Sequence, residues 1–193
     1  MRGFSLIELI VGMAILGILM SLGIPAFSDW MRNARVRTTA ESVLNGLQLA
    51  RAEAVRRNTT VGLYLVDTTT SACALSTAGP NWIVSVDSPV GQCDVAPSDT
   101  LAPRIIQLRG GTESGGAATT VAAGQAAIVF NGLGRPTPLP DVVLITISFT
   151  DAAGAACVDA GGAVRCLRAE ISVGGQIRMC DPALTAGDAQ GCI

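Results

Sequence analysis

One carboxylate, Glu8, stands inside an apolar run over residues 4–27 whose only other polar side chains are Ser5 and Ser21. An acid at the centre of a membrane helix costs roughly 2.5–3.5 kcal/mol, and less toward the ends. Such a group calls for a cation or a purpose, and no arginine or lysine falls within the run. A cation can nevertheless be made. Cutting the peptide bond between Gly3 and Phe4 would leave an α-amine about one helical turn before Glu8, largely protonated at neutral pH. The chemistry on offer is ion pairing in a medium of low dielectric constant.

Catalytic chemistry has little to work with. The chain contains no histidine, which removes Ser-His-Asp and Cys-His sets and His-ligated zinc. Isolated acids such as Asp141 and Asp151 read as turn residues, and no carboxylate cluster has calcium-loop spacing. No cofactor is implied. Net charge is -2, and every basic residue is an arginine, so a broad nucleic-acid-binding surface is not indicated. Six cysteines, Cys73, Cys93, Cys157, Cys166, Cys180 and Cys192, all follow the helical region and form no CxxC pair. An even count in an exported domain points to disulfides, and sequence alone does not choose their connectivity. Pairing of neighbours would staple three Gly/Ala/Asp-rich loops.

The elements that must position these residues follow from periodicity. Residues 4–27 are long enough to span hydrocarbon as a helix, and a cleaved secretory signal fits less well because the run is too long and no A-x-A site follows. Beyond Pro25, Val36, Ala40, Val43, Leu47, Ala50 and Ala54 form one apolar stripe, with arginines, Glu41 and Glu53 on the other faces and Glu53 placed to pair with Arg57. The two segments are expected to form one helix with a bend at Pro25, ending at Asn58. The period then changes to two at residues 60–66. Further strands are expected at 82–86, 104–108, 127–131, 142–150, 164–173 and 176–180, with Gly174-Gly175 as a tight hairpin turn. Residues 68–81 and 110–125 read as loops.

The N-terminal G-F-S-L-I-E-L followed by an apolar helix resembles the leader and helix of type IV pilins and type II secretion pseudopilins. LARAEAVRRNTTVGL, IVFNGLGRPTP and AEISVGGQIRMC are similar to segments of the GspH/FimT group within that family, so the resemblance covers roughly the whole chain. It implies an α+β, type IV pilin-like fold, a long N-terminal helix on an antiparallel β-sheet head. Residues 1–3 would be the leader, 4–28 the transmembrane half of the helix, 29–58 its amphipathic half and 59–193 a periplasmic head. It also implies that prepilin peptidase cuts after Gly3 and that Phe4 is N-methylated, with Glu8 and Pro25 serving assembly. Implied partners are other pilins or pseudopilins, the inner-membrane assembly platform and the inner-membrane lipid.

The resemblance implies a structural subunit of a pseudopilus or type IV pilus and not an enzyme. Some FimT proteins bind DNA through a C-terminal Gly-Arg-x-Arg motif, and the matching positions here are Gly175-Gln176-Ile177-Arg178, with glutamine in place of the first arginine. Arg165, Arg168 and Arg178 would form the patch of a DNA-binding alternative, diluted by Asp141, Asp159, Glu170, Asp181 and Asp188. Topology carries one conflict. Arg32, Arg35 and Arg37 follow the span, and a positive-inside count would put them in the cytoplasm against the single Arg2. The cysteines and the leader argue for the opposite side.

Overall fold

The computed structural model describes residues 6–111, 118–138, 144–185 and 187–193, and of residues 22–26 the backbone alone. One α-helix, α1 (Leu6–Arg57), carries eight strands: β1 (Val61–Val66), β2 (Asn81–Ser85), β3 (Ile105–Arg109), β4 (Thr119–Ala123), β5 (Ala127–Phe130), β6 (Leu144–Asp151), β7 (Leu167–Ser172) and β8 (Ile177–Cys180). The helix runs through Pro25, whose missing N–H removes the rung to the carbonyl of Ser21. It stops at Asn58, which takes the left-handed conformation (φ 49°) that asparagine tolerates. The Asn58 N–H then donates to the Val55 carbonyl and the Thr59 N–H to the Ala54 carbonyl, the two bonds of a Schellman cap.

The strands form two four-stranded antiparallel sheets, ordered β3-β2-β1-β5 and β4-β6-β7-β8. Both pack on the apolar stripe of α1. Val36, Ala40, Val43, Leu47, Ala50 and Ala54 are buried with Leu63, Leu65, Trp82, Phe130, Ile147, Phe149 and Ile171 in a common core. Small residues set the approach. A Cβ added at Gly46 would lie 2.8 Å from Cδ1 of Leu63 and 2.9 Å from Cζ3 of Trp82, so helix and sheet close to a distance that only glycine permits there.

β1 is buried on both faces. Val66, on the face away from α1, joins Ile83, Ile105, Cys73 and Cys93 in a second cluster, covered by the loops on either side of β2 and closed by the Cys73–Cys93 disulfide. Two further disulfides, Cys157–Cys166 and Cys180–Cys192, close loops of 9 and 12 residues.

Two expectations are corrected. Residues 110–125, read as loop, contain β4, which pairs with β6 from Thr119↔Asp151 to Ala123↔Ile147. Its residues are small and flanked by glycine, so the local pattern is weak, and the long-range pairing makes the strand. The strand expected over 164–173 begins only at Leu167, because Val164 pairs with Cys157 in an isolated bridge of the disulfide loop.

Candidate assembly site

Glu8 lies in the first described turn of α1. Its surroundings are unusual for a water-facing helix. Leu6, Ile7, Leu9, Ile10, Val11, Met13, Ile15, Leu16, Ile18, Leu19 and Met20 are all exposed, Leu6 by 78%, and residues 6–21 carry no buried side chain on any face. Val36 is the first buried residue of α1 among those described. The helix therefore leaves a closed head and extends as an apolar rod with one carboxylate near its tip. Among the described residues no helix is long and apolar enough to cross a membrane. Gly3 and Phe4 lie outside the described residues, as does the side chain of Pro25.

The head end of α1 is clasped by charge. Glu53 accepts from Arg56 (Nη2, 2.7 Å) and Arg57 (Nε, 2.7 Å), and Arg57 also reaches Asp99 at 2.5 Å on the loop before β3. The hydrogen bond from Arg56, aided by Arg57, holds the Glu53 carboxyl below its usual range against the opposing effect of burial. Asp87 is held low in the same way by the paired donors of Arg104, each at 2.8 Å. At the other end of the head Asn33 fastens α1 to the 163–165 loop, accepting from the Arg165 N–H at 2.6 Å.

Arg165, Arg168 and Arg178 fall on or next to β7 and β8, with Arg168 opposite Cys180 and Glu170 opposite Arg178. They do not form a free cationic patch. Arg178 donates twice to Oε2 of Glu170, at 2.9 Å from Nε and 2.7 Å from Nη2. Glu170 is only 1% exposed, and its other oxygen accepts from the Ile193 N–H at 3.3 Å. Arg165 faces Asp181 at 3.5 Å. Arg168 is the one of the three without an ion pair among the described residues. Glu170 lies near the sulfurs of Cys180 and Cys192, but these are joined to each other and offer no thiolate to a metal.

Sequence reasoning took Glu170 as a surface charge diluting the patch. The turn expected at Gly174-Gly175 is one residue longer than that reading, and the added residue decides where Glu170 falls. The Ser172 N–H donates to the Gln176 carbonyl and Gly175 has φ 80°, a three-residue turn whose register sets 170 opposite 178. Asn33 gave no signal, since its partners lie far away in sequence. Asp151, expected in a turn, accepts from the N–H groups of Ala153 and Ala155 just after β6.

The family profile for the type II transport protein GspH matches residues 39–187, about three quarters of the chain. The chain belongs to the GspH family. The profile for the prokaryotic N-terminal methylation motif matches residues 1–24, the segment that holds Gly3, Phe4 and Glu8. Among solved structures, two crystal forms of the type IV minor pilin FimU of Pseudomonas aeruginosa (strain PAO1) are similar. The first shares 16% identity over 75% of this chain and 87% of that one, with a TM-score of 0.49. The second shares 15% over 74% and 90%, with a TM-score of 0.47. With its GspH domain and N-terminal methylation motif, the chain is a pilin-like structural subunit of the minor pilin or pseudopilin kind.

Proposed function

We propose that this subunit is made as a precursor, cut between Gly3 and Phe4 by prepilin peptidase, methylated on Phe4 and held in the inner membrane by residues 4–28 with its head in the periplasm. The assembly platform then draws it, with other pilins or pseudopilins, into a pseudopilus or pilus. The observation that carries this reading is the apolar rod of α1, exposed on every face and acidic in its first turn, projecting from a head that is otherwise closed. Such a surface is stable only in lipid or in a bundle of like helices.

Glu8 supplies the assembly contact. In the filament core its carboxylate meets the Phe4 amine of a neighbouring subunit. Two unit charges 4 Å apart attract by about 1 kcal/mol in water and about 4 kcal/mol at an effective dielectric constant of 20, so the pair strengthens as helices exclude water. Glu8→Ala should leave the chain at normal levels in the membrane and remove it from sheared filaments. Wild-type amounts of the variant in purified filaments would refute the role.

A further inference from the structure

The three arginines that follow the apolar run conflict with the positive-inside pattern if the head is exported, and nothing in assembly through Glu8 uses them. Their setting gives them work to do. At the end of the apolar run and just past it, Phe27 and Trp30 are 60% and 64% exposed, with ring centroids 5.8 Å apart. Beside them, between α1 and the end of β6, opens a cleft of about 560 Å³ lined by Phe27, Met31, Arg32, Arg35 and Asp151 among others.

The charges around this base are unequally committed. Arg37 is held by Glu41 at 2.7 Å, whereas Arg165 lies a longer 3.5 Å from Asp181. Arg32 is 3.6 Å from Asp29, a long contact, and Arg35 has no ion pair among the described residues. The acid in the cleft, Asp151, already accepts two backbone N–H groups. The cleft therefore offers Arg35 as an unspent cation beside the apolar Phe27 and Met31, with the Asp151 carboxylate turned to its own loop.

Helix dimensions put this feature at a definite depth. A hydrocarbon layer of about 30 Å takes about 20 residues, so a helix entering at residue 6 leaves it near residue 26. Phe27 and Trp30 then lie within about 6 Å of that boundary, where amphipathic rings are favoured. Arg32 and Arg35 start about 9 and 13 Å out, and helical side chains lean back toward the N-terminus, which brings their guanidinium groups down to the phosphates.

We propose that the base of the head is a phospholipid-binding surface: Phe27 and Trp30 lie in the membrane interface, and the Arg32–Arg35 cleft holds a lipid phosphate. This rests on the membrane-anchored reading above. It turns the misplaced arginines into a seat that fixes the head against the outer leaflet and must be given up when the subunit is drawn into a filament.

The test uses the full chain reconstituted in phosphatidylethanolamine/phosphatidylglycerol vesicles. The Trp30 signal is taken as the difference between wild type and Trp30→Phe, since Trp82 is buried. Lipids brominated near the glycerol end should quench Trp30 strongly and aqueous acrylamide weakly. In Arg32→Gln/Arg35→Gln the lipid quenching should fall at least twofold while the chain still resists carbonate extraction. Acrylamide quenching without lipid quenching, in a carbonate-resistant wild type, would overturn the seat. Unchanged lipid quenching in the double variant would overturn the phosphate cleft. A chain released by carbonate would instead overturn the anchored reading on which both depend.

Discussion

Arg178 occupies the last position of the segment that resembles a DNA-binding motif, yet two of its donors, at Nε and Nη2, are spent on a carboxylate 1% exposed. Replacing it with methionine keeps most of the volume and leaves Glu170 with one donor, the Ile193 N–H. Breaking a buried ion pair from one side costs about 3–5 kcal/mol. The Arg178 side chain is 29% exposed, so water can reach the vacated space, and we take about 2–3 kcal/mol. Glu170→Gln keeps the shape and frees Arg178 toward solvent, at about 1 kcal/mol. Because the methionine would then face a neutral amide, Glu170→Gln/Arg178→Met should cost clearly less than the sum of the single changes. Urea unfolding of the full chain in detergent measures this, followed by Trp82 emission in a Trp30→Phe background. A cost below about 0.5 kcal/mol for Arg178→Met, or strict additivity, would refute the assignment of Arg178 to the fold. The consequence for function is practical: lost DNA binding in an Arg178 variant would report damage to the head, and Arg168→Gln is the cleaner probe.

Gly46→Val should destabilise the head by about 1–3 kcal/mol in the same unfolding assay, because any Cβ there meets Leu63 and Trp82 below 3 Å. Glu53 and Asp87 have folded-state pKa values below their usual range, so their stabilisation is present above the unfolded values and lost as pH falls through the folded ones. The unfolding midpoint should be flat above about pH 5 and drop below about pH 4, and Glu53→Gln should flatten that acid limb. The effect is small, since the Asp87 side chain is 44% exposed. Reduction should cost about 3 kcal/mol per disulfide on the chain-entropy model, given loops of 20, 9 and 12 residues, and should show as a lowered urea midpoint with dithiothreitol.

What could be read directly from the sequence was whatever repeats locally. The stripe from Val36 to Ala54 and the alternation in β1 and β6 each announce an element and the face it buries. What could not be read depends on partners distant in the chain. β4 is a strand because β6 lies beside it, and the outer face of β1 is covered only because Cys73 and Cys93 bring two loops together. The N-terminal site divides in the same way. Glu8 was conspicuous as an acid in an apolar run, whereas the cleft at Arg35 exists only because the end of β6 brings Asp151, Ala152 and Ala153 beside Arg32 and Arg35.

The construction of α1 bears on how a subunit could be moved by its anchor. A helix of 52 residues is about 78 Å long, and residues 36–57 lie along the head while the apolar half extends beyond it. A pull on the anchor is transmitted through one hydrogen-bonded rod, with Pro25 as its weakest rung. The head can leave that rod by sliding or by peeling. Peeling from the far end is opposed by the Schellman cap at Asn58 and by the Arg57 bridge between Glu53 and Asp99. Peeling from the near end is opposed by Asn33 on the 163–165 loop, itself closed by Cys157–Cys166. Sliding remains, and it would have to move Leu63 and Trp82 out of the notch at Gly46 and disrupt the whole buried stripe at once. Axial load is thus borne by many contacts together, as the proposed withdrawal from the membrane would require.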